Sequence, residues 1–153
     1  MEPAWTEGLA EVALPKLGVR GNHDQPDALE RVGAEDLHLR RVEHGGLSFA
    51  GFGGSPRYTP EGGNQWTEEE AEQMVELLPA ADVLVAHSPP QGVNDEPDDR
   101  AHCGSAALRA WVERHEPGWL LHGHTLPNPA HQVHQLGPTR VVHVRGALPL
   151  ELS

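Results

Sequence analysis

Two short apolar runs, DVLVAH (82–87) and WLLHGH (119–124), constrain the fold more than anything else in this chain. Neither alternates with polar residues, and a nearly continuous apolar run marks a strand covered on both faces. Between them SAALRAWVERHEP (105–117) reads as an amphipathic helix. A buried strand, a helix and a second buried strand join through a right-handed crossover, which makes the chain an α/β layered domain.

The remaining segments fit that plan. KLGV (16–19) reads as a strand, and PDALERVG (26–33) as a short helix with proline in its first turn and glycine after its end. DLHLRRVEHGGLSFAGF is two strands around a Gly45–Gly46 turn, with Phe49 and Phe52 expected to meet a core. After a loop, GGSPRYTPEGGNQW, comes a helix, TEEEAEQMVELLP, with Thr67 as N-cap, Glu70 three residues on and Pro79 as its stop. Its acidic first turn suits the helix dipole. The stretch SPPQGVNDEPDDRAHCG is too polar and proline-rich for anything but a loop, and the tail from His131 reads as a β-meander of three short runs.

Composition narrows the function. At 153 residues the chain fits one domain, 1–153. Its formal charge of −12 repels polyphosphate backbones, so nucleic acid is not expected as a partner. The lone Cys103 forms no internal disulfide, and no stretch has the apolar length of a membrane span. With no basic-then-apolar N-terminal signal pattern, a cytoplasmic location is expected.

Three loops leave the C-terminal ends of predicted strands and begin with ligand-type side chains: Asn22-His23-Asp24, His87 and His124. In an α/β sheet, sites assemble at the carboxyl ends of strands, so these loops can converge across about 100 residues of sequence. One amide oxygen with two imidazoles makes a divalent-metal site. Mixed nitrogen and oxygen ligation suits Mn, Fe or Zn better than Mg.

GNHD (21–24), VLVAHSPP (83–90) and LLHGHTLP (120–127) resemble, in that order, the last three motifs of the calcineurin-like metallophosphoesterases: Gly-Asn-His-Asp/Glu, a lone His after a strand, and Gly-His-x-His. The resemblance runs through nearly all of the chain, taking in GFGGSPRY (51–58) and the SPPQGVND loop, which look like those of small bacterial phosphoesterases. It implies an α-β-β-α layered sandwich. It also implies that Asn22, His87 and His124 hold the second of two metal ions, that His23 meets the leaving oxygen, and that Asp24 orients His23. The implied activity is metal-dependent hydrolysis of a small phosphomonoester or phosphodiester. The alternative is a non-catalytic descendant that binds a phosphate ligand or a partner protein.

The sequence also departs from that pattern. The twenty residues before GNHD contain no Asp-x-His and no Gly-Asp-x-x-Asp motif, so the sandwich is expected to be incomplete and N-terminally truncated, its first-metal site lost. Loss of early strands would leave a sheet edge open, a route to a homo-oligomer. Leu126 stands where the second His of Gly-His-x-His belongs, and on extended backbone it would share a face with His124.

Other residues carry less chemistry. His122, inside an apolar strand, is expected in the core. NDEPDDRAH (94–102) reads as a solvated surface loop, with Asp95 and His102 the positions to test. GGSP (53–56) either offers backbone N–H groups to a phosphate or forms a plain glycine turn. Cys103 reads as a small buried residue. His131, His134 and His143 look like exposed positions, offsetting acid elsewhere together with Arg140 and Arg145.

Overall fold

The structure, a computed structural model, describes residues 8–153. In chain order its elements are β1 (Leu17–Gly18), α1 (Ala28–Arg31), β2 (Glu35–Asp36), β3 (Arg41–His44), β4 (Leu47–Phe52), β5 (Ser55–Pro56) and β6 (Gln65–Trp66). There follow α2 (Glu68–Leu77), β7 (Val83–Ala86), α3 (Ala106–His115), β8 (Trp119–His122), β9 (Gln135–Leu136) and β10 (Thr139–His143). Six strands form the central sheet in the order β3-β4-β7-β8-β10-β9. Its four inner strands are mutually parallel, and each edge strand is antiparallel to its neighbour. Helices flank the sheet, so the architecture is the mixed α/β one that the two apolar runs require.

Local chemistry sets the helix ends. At α2 the Thr67 hydroxyl accepts from Glu70 N at 3.1 Å while the Glu70 carboxylate accepts from Thr67 N at 2.8 Å, a complete capping box. Ser105 caps α3 by accepting from Leu108 N at 3.1 Å. The two helices meet where Trp111 Nε1 donates to Leu78 O at 3.1 Å. Beneath them Ala50, Phe52, Leu84, Ala86, Leu120 and Val141 from the parallel strands join Trp66, Leu108, Trp111 and Val112 in one apolar core. Phe52 is buried as expected, whereas Phe49 is only half-buried.

Beside β4 the chain passes closely. A Cβ on Gly51 would lie 2.5 Å from Val19 Cγ1 and 2.6 Å from Leu37 Cβ, so this crossing needs glycine. Three expectations are corrected. The segment 53–66 is not all loop, because β5 and β6 pair in parallel. The tail is no three-stranded meander: β9 and β10 form an antiparallel pair, β10 lies parallel to β8, and residues after His143 carry no strand. His143 is buried rather than exposed, because its partner across the ladder is the core residue His122. Among the described residues no helix is long and apolar enough to cross a membrane.

Candidate metal centre

The three predicted loops converge, and the backbone ladder shows why. His87 N donates to Phe52 O at 3.1 Å and Gly123 N donates to His87 O at 3.1 Å, so the β4-β7-β8 register continues past the strand ends. That continuation sets the residues after β7 and β8 side by side, and the His87 and His124 rings lie 4.7 Å apart between centroids.

Gly21-Asn22-His23-Asp24 is a tight turn closed from both ends: Gly21 N donates to Asp24 Oδ2 at 2.7 Å and Asp24 N to Gly21 O at 3.3 Å. The turn carries Asn22 inward, where it is 5% exposed, and leaves His23 at the surface. Asn22 Oδ1 accepts from His87 Nε2 at 2.9 Å, and Asn22 Nδ2 donates to the Tyr58 hydroxyl at 3.0 Å. The same hydroxyl lies 3.3 Å from His23 Nε2. Gly21 has no room for a side chain, because a Cβ there would sit 2.7 Å from His87 Cε1.

These atoms suit a divalent ion. Two adjacent ligands at about 2.1 Å from one ion stand about 3 Å apart, the separation already seen between Asn22 Oδ1 and His87 Nε2. A metal-ligating histidine commonly donates its other ring N–H to a carbonyl. His124 does so: its Nε2 donates to Ala101 O at 2.6 Å, which leaves the lone pair on Nδ1. Ligation also needs neutral imidazole. Burial, reinforced by the neighbouring His124 and opposed by Asp24, pushes His87 down to about 4. Burial lowers His124 as well, against the Ala101 bond and with His102 and His23 nearby.

Other expectations meet mixed outcomes. His122 is a core residue, 2% exposed, with Asn94 Nδ2 donating to its Nε2 at 2.9 Å. The GGSP backbone is fully used: Gly53 N donates to His38 Nδ1, Gly54 N to Arg20 O and Ser55 N to Asn64 O, so it forms a turn and not a phosphate cradle. Cys103 is half-buried, and burial pushes its thiol up. Leu126 does not share a face with His124, because His124 has φ 66° and the backbone there is not extended; Leu126 is 61% exposed.

The segment 94–102 is the surface loop expected, with internal hydrogen bonds. Asp95 Oδ2 accepts from Gly104 N, Asp99 Oδ1 from Ala101 N at 2.9 Å, and Asp99 Oδ2 from His102 Nδ1 at 2.6 Å. The His102 ring lies 5.2 Å from that of His124. Glu96, Asp99 and His102 each bring a ligand atom within 4.8 Å of the others, a group able to hold a metal ion. Sequence reasoning misses Tyr58, the only tyrosine, for which a glycine-rich loop gives no signal.

Comparison with known proteins bears on the family and the fold. No curated protein matches the sequence. One solved structure aligns with a TM-score of 0.65 at 22% identity, covering 91% of this chain and 60% of its own. The crystal structure of TT1561 of Thermus thermophilus aligns with a TM-score of 0.62 at 21% identity, covering 92% of this chain and 67% of that one. The chain thus spans about two thirds or less of these structures, and at such identity they share its fold alone. The model of the calcineurin-like phosphoesterase family matches residues 1–128, a span that includes all three converging loops and most of the sheet, and the chain belongs to that family.

Proposed function

We propose that this chain is a metal-dependent phosphoesterase for small phosphomonoesters or phosphodiesters, with Asn22, His87 and His124 holding a divalent ion, Mn, Fe or Zn. The observation that carries the reading is the approach of Asn22 Oδ1 and His87 Nε2 to 2.9 Å beside a His124 whose Nε2 is engaged elsewhere. When bound, such an ion polarises a phosphoryl oxygen and acidifies water.

The side chains divide the remaining work. Tyr58 holds the Asn22 amide so that its oxygen faces His87. His23, exposed at the rim and in reach of the Tyr58 hydroxyl, moves a proton at the leaving oxygen through Nε2. Asp24 closes the turn that aims His23. A positioned acid of this kind contributes about 10²- to 10⁴-fold. The charge of −12 disfavours long nucleic acids as substrates.

The test is Mn²⁺-stimulated hydrolysis of bis-p-nitrophenyl phosphate by the 153-residue chain and by His87→Ala prepared identically. Turnover by the parent that the variant lacks is the expected result. Parent activity no higher than the metal blank sinks the reading for this chain.

A further inference from the structure

His124 sits on a turn that a residue with a side chain seldom adopts. Its φ is 66°, and Thr125 N donates to Gly123 O at 2.8 Å, which closes a tight turn with His124 at its centre. With φ positive this is the rare and strained form of the γ-turn. Such a conformation persists only where the surroundings over-determine it. The residue through which they do so is the next one, Thr125.

Thr125 is 5% exposed and is bonded through both its side chain and its carbonyl. Its Oγ1 donates to Asn94 O at 2.8 Å, and its carbonyl oxygen accepts from His143 Nε2 at 2.9 Å. Asn94 and Ala101 belong to the same segment, so the Thr125 hydroxyl and the His124 ring donate to carbonyls of one loop. His143 ends β10, paired in register with His122 at the end of β8. The turn is thereby held from the loop through one group and from the sheet through the other.

We propose that Thr125 is the positioning residue for His124, its hydroxyl and carbonyl together holding the strained turn that sets the direction of the His124 ring. The inference rests on the reading of Asn22, His87 and His124 as ligands. Thr125 acts through the main chain it shares with His124 and is not itself a ligand. Glycine at 124 would adopt the turn without strain but would bring no imidazole. The chain therefore keeps a histidine in a conformation that the bonds of Thr125 must secure.

The competing explanation is that the Thr125 hydroxyl only ties loop to sheet and stabilises the fold. Thr139 supplies the comparison, because it too is fully buried and its Oγ1 donates to a carbonyl, Pro117 O at 2.7 Å, at the opposite end of β10 from His143. Calorimetric titration with Mn²⁺ is run on the metal-stripped parent, His87→Ala, Thr125→Val, Thr125→Ser and Thr139→Val, with melting temperatures taken without metal. Valine keeps the shape of Thr125 and removes the donor, whereas serine keeps the donor. Mn²⁺ affinity is expected to fall about tenfold or more in Thr125→Val and to stay within about twofold of the parent in Thr125→Ser and Thr139→Val, whatever each does to melting. Parent affinity in Thr125→Val, or an equal loss in Thr125→Ser or in Thr139→Val, overturns the inference. Should Thr125→Val not fold, His143→Gln, which keeps a donor near the Nε2 position, and His143→Leu, which has none, put the question through the Thr125 carbonyl; equal Mn²⁺ affinity in those two overturns it. If the parent itself takes up no Mn²⁺, the reading of Asn22, His87 and His124 fails first. If His87→Ala alone loses binding, that reading stands and Thr125 positions nothing.

Discussion

His122 and His124 stand two residues apart in different surroundings. His122 is 2% exposed, stacked on His143 at 4.6 Å, and both of its nitrogens meet protein: Asn94 Nδ2 donates to Nε2, and Nδ1 reaches Gly123 O. His124 is half-buried, bonded through one nitrogen to Ala101 O, and set beside two other imidazoles. Both are lowered by burial, His122 to about 4. A depressed imidazole is therefore no mark of function by itself. What separates the two is whether a lone pair remains for something that is not protein.

The sharpest test of this contrast compares losses on the two sides. At the centre, His87→Ala or Gly21→Ala abolishes Mn²⁺-stimulated hydrolysis, the second because its methyl displaces the His87 ring. The fall expected is about 10²-fold or more in rate, accompanied by some loss of metal-free melting temperature because Asn22 Oδ1 loses or shifts its His87 partner. An active Gly21→Ala enzyme with parent metal affinity breaks the contrast. On the core side, His122→Ala leaves a cavity and takes a partner from Asn94. It is expected to cost about 2–3 kcal/mol in urea unfolding, with Mn²⁺ affinity retained.

Acid offers a smaller effect. A histidine whose folded pKa lies below its unfolded value binds its proton more readily in the unfolded chain, so its stabilisation is complete above the unfolded value and falls away as pH drops toward the folded one. For His122 that window runs from 6.5 down to about 4, and the loss at pH 5 is about 2 kcal/mol. His87 shares the window in the metal-free protein. Urea midpoints at pH 7 and pH 5 check this: the drop should shrink, without vanishing, in His122→Ala. The mildest change is Tyr58→Phe, which frees the Asn22 amide and His23 from one hydroxyl. Mn²⁺ affinity should fall about tenfold, and parent affinity would show that the hydroxyl positions nothing.

Much of this is legible in the sequence for a simple reason. Buried parallel strands end abruptly, and a polar ligand type at the ends of β7 and β8 is visible without coordinates; His87 and His124 meet as the strand order requires, whereas Asn22 follows β1, outside that sheet, and reaches His87 through the Gly21–Asp24 turn. The rest depends on backbone conformation or on distant neighbours. Extended geometry misplaces Leu126, because the chain turns at His124, whose φ is 66°. Nothing within the short run around His143 reveals that it pairs with His122 and is buried there. Strands β5 and β6 have two residues each, too few to show a period. The segment 94–102 is the surface loop its acidic composition suggests, but the bonds of Asp95 and Asp99 to nearby main-chain amides are not visible in its sequence.

The oxygen that fixes the His124 tautomer is a main-chain carbonyl, that of Ala101. Exchanging the side chain at 101 leaves that oxygen in place, so point substitution there has little purchase on the centre. Lengthening, shortening or rerouting the chain between Asp95 and Gly104 moves it at once. Evolution of this site should therefore be recorded in insertions and deletions, and in where prolines fall, more than in the identity of residue 101.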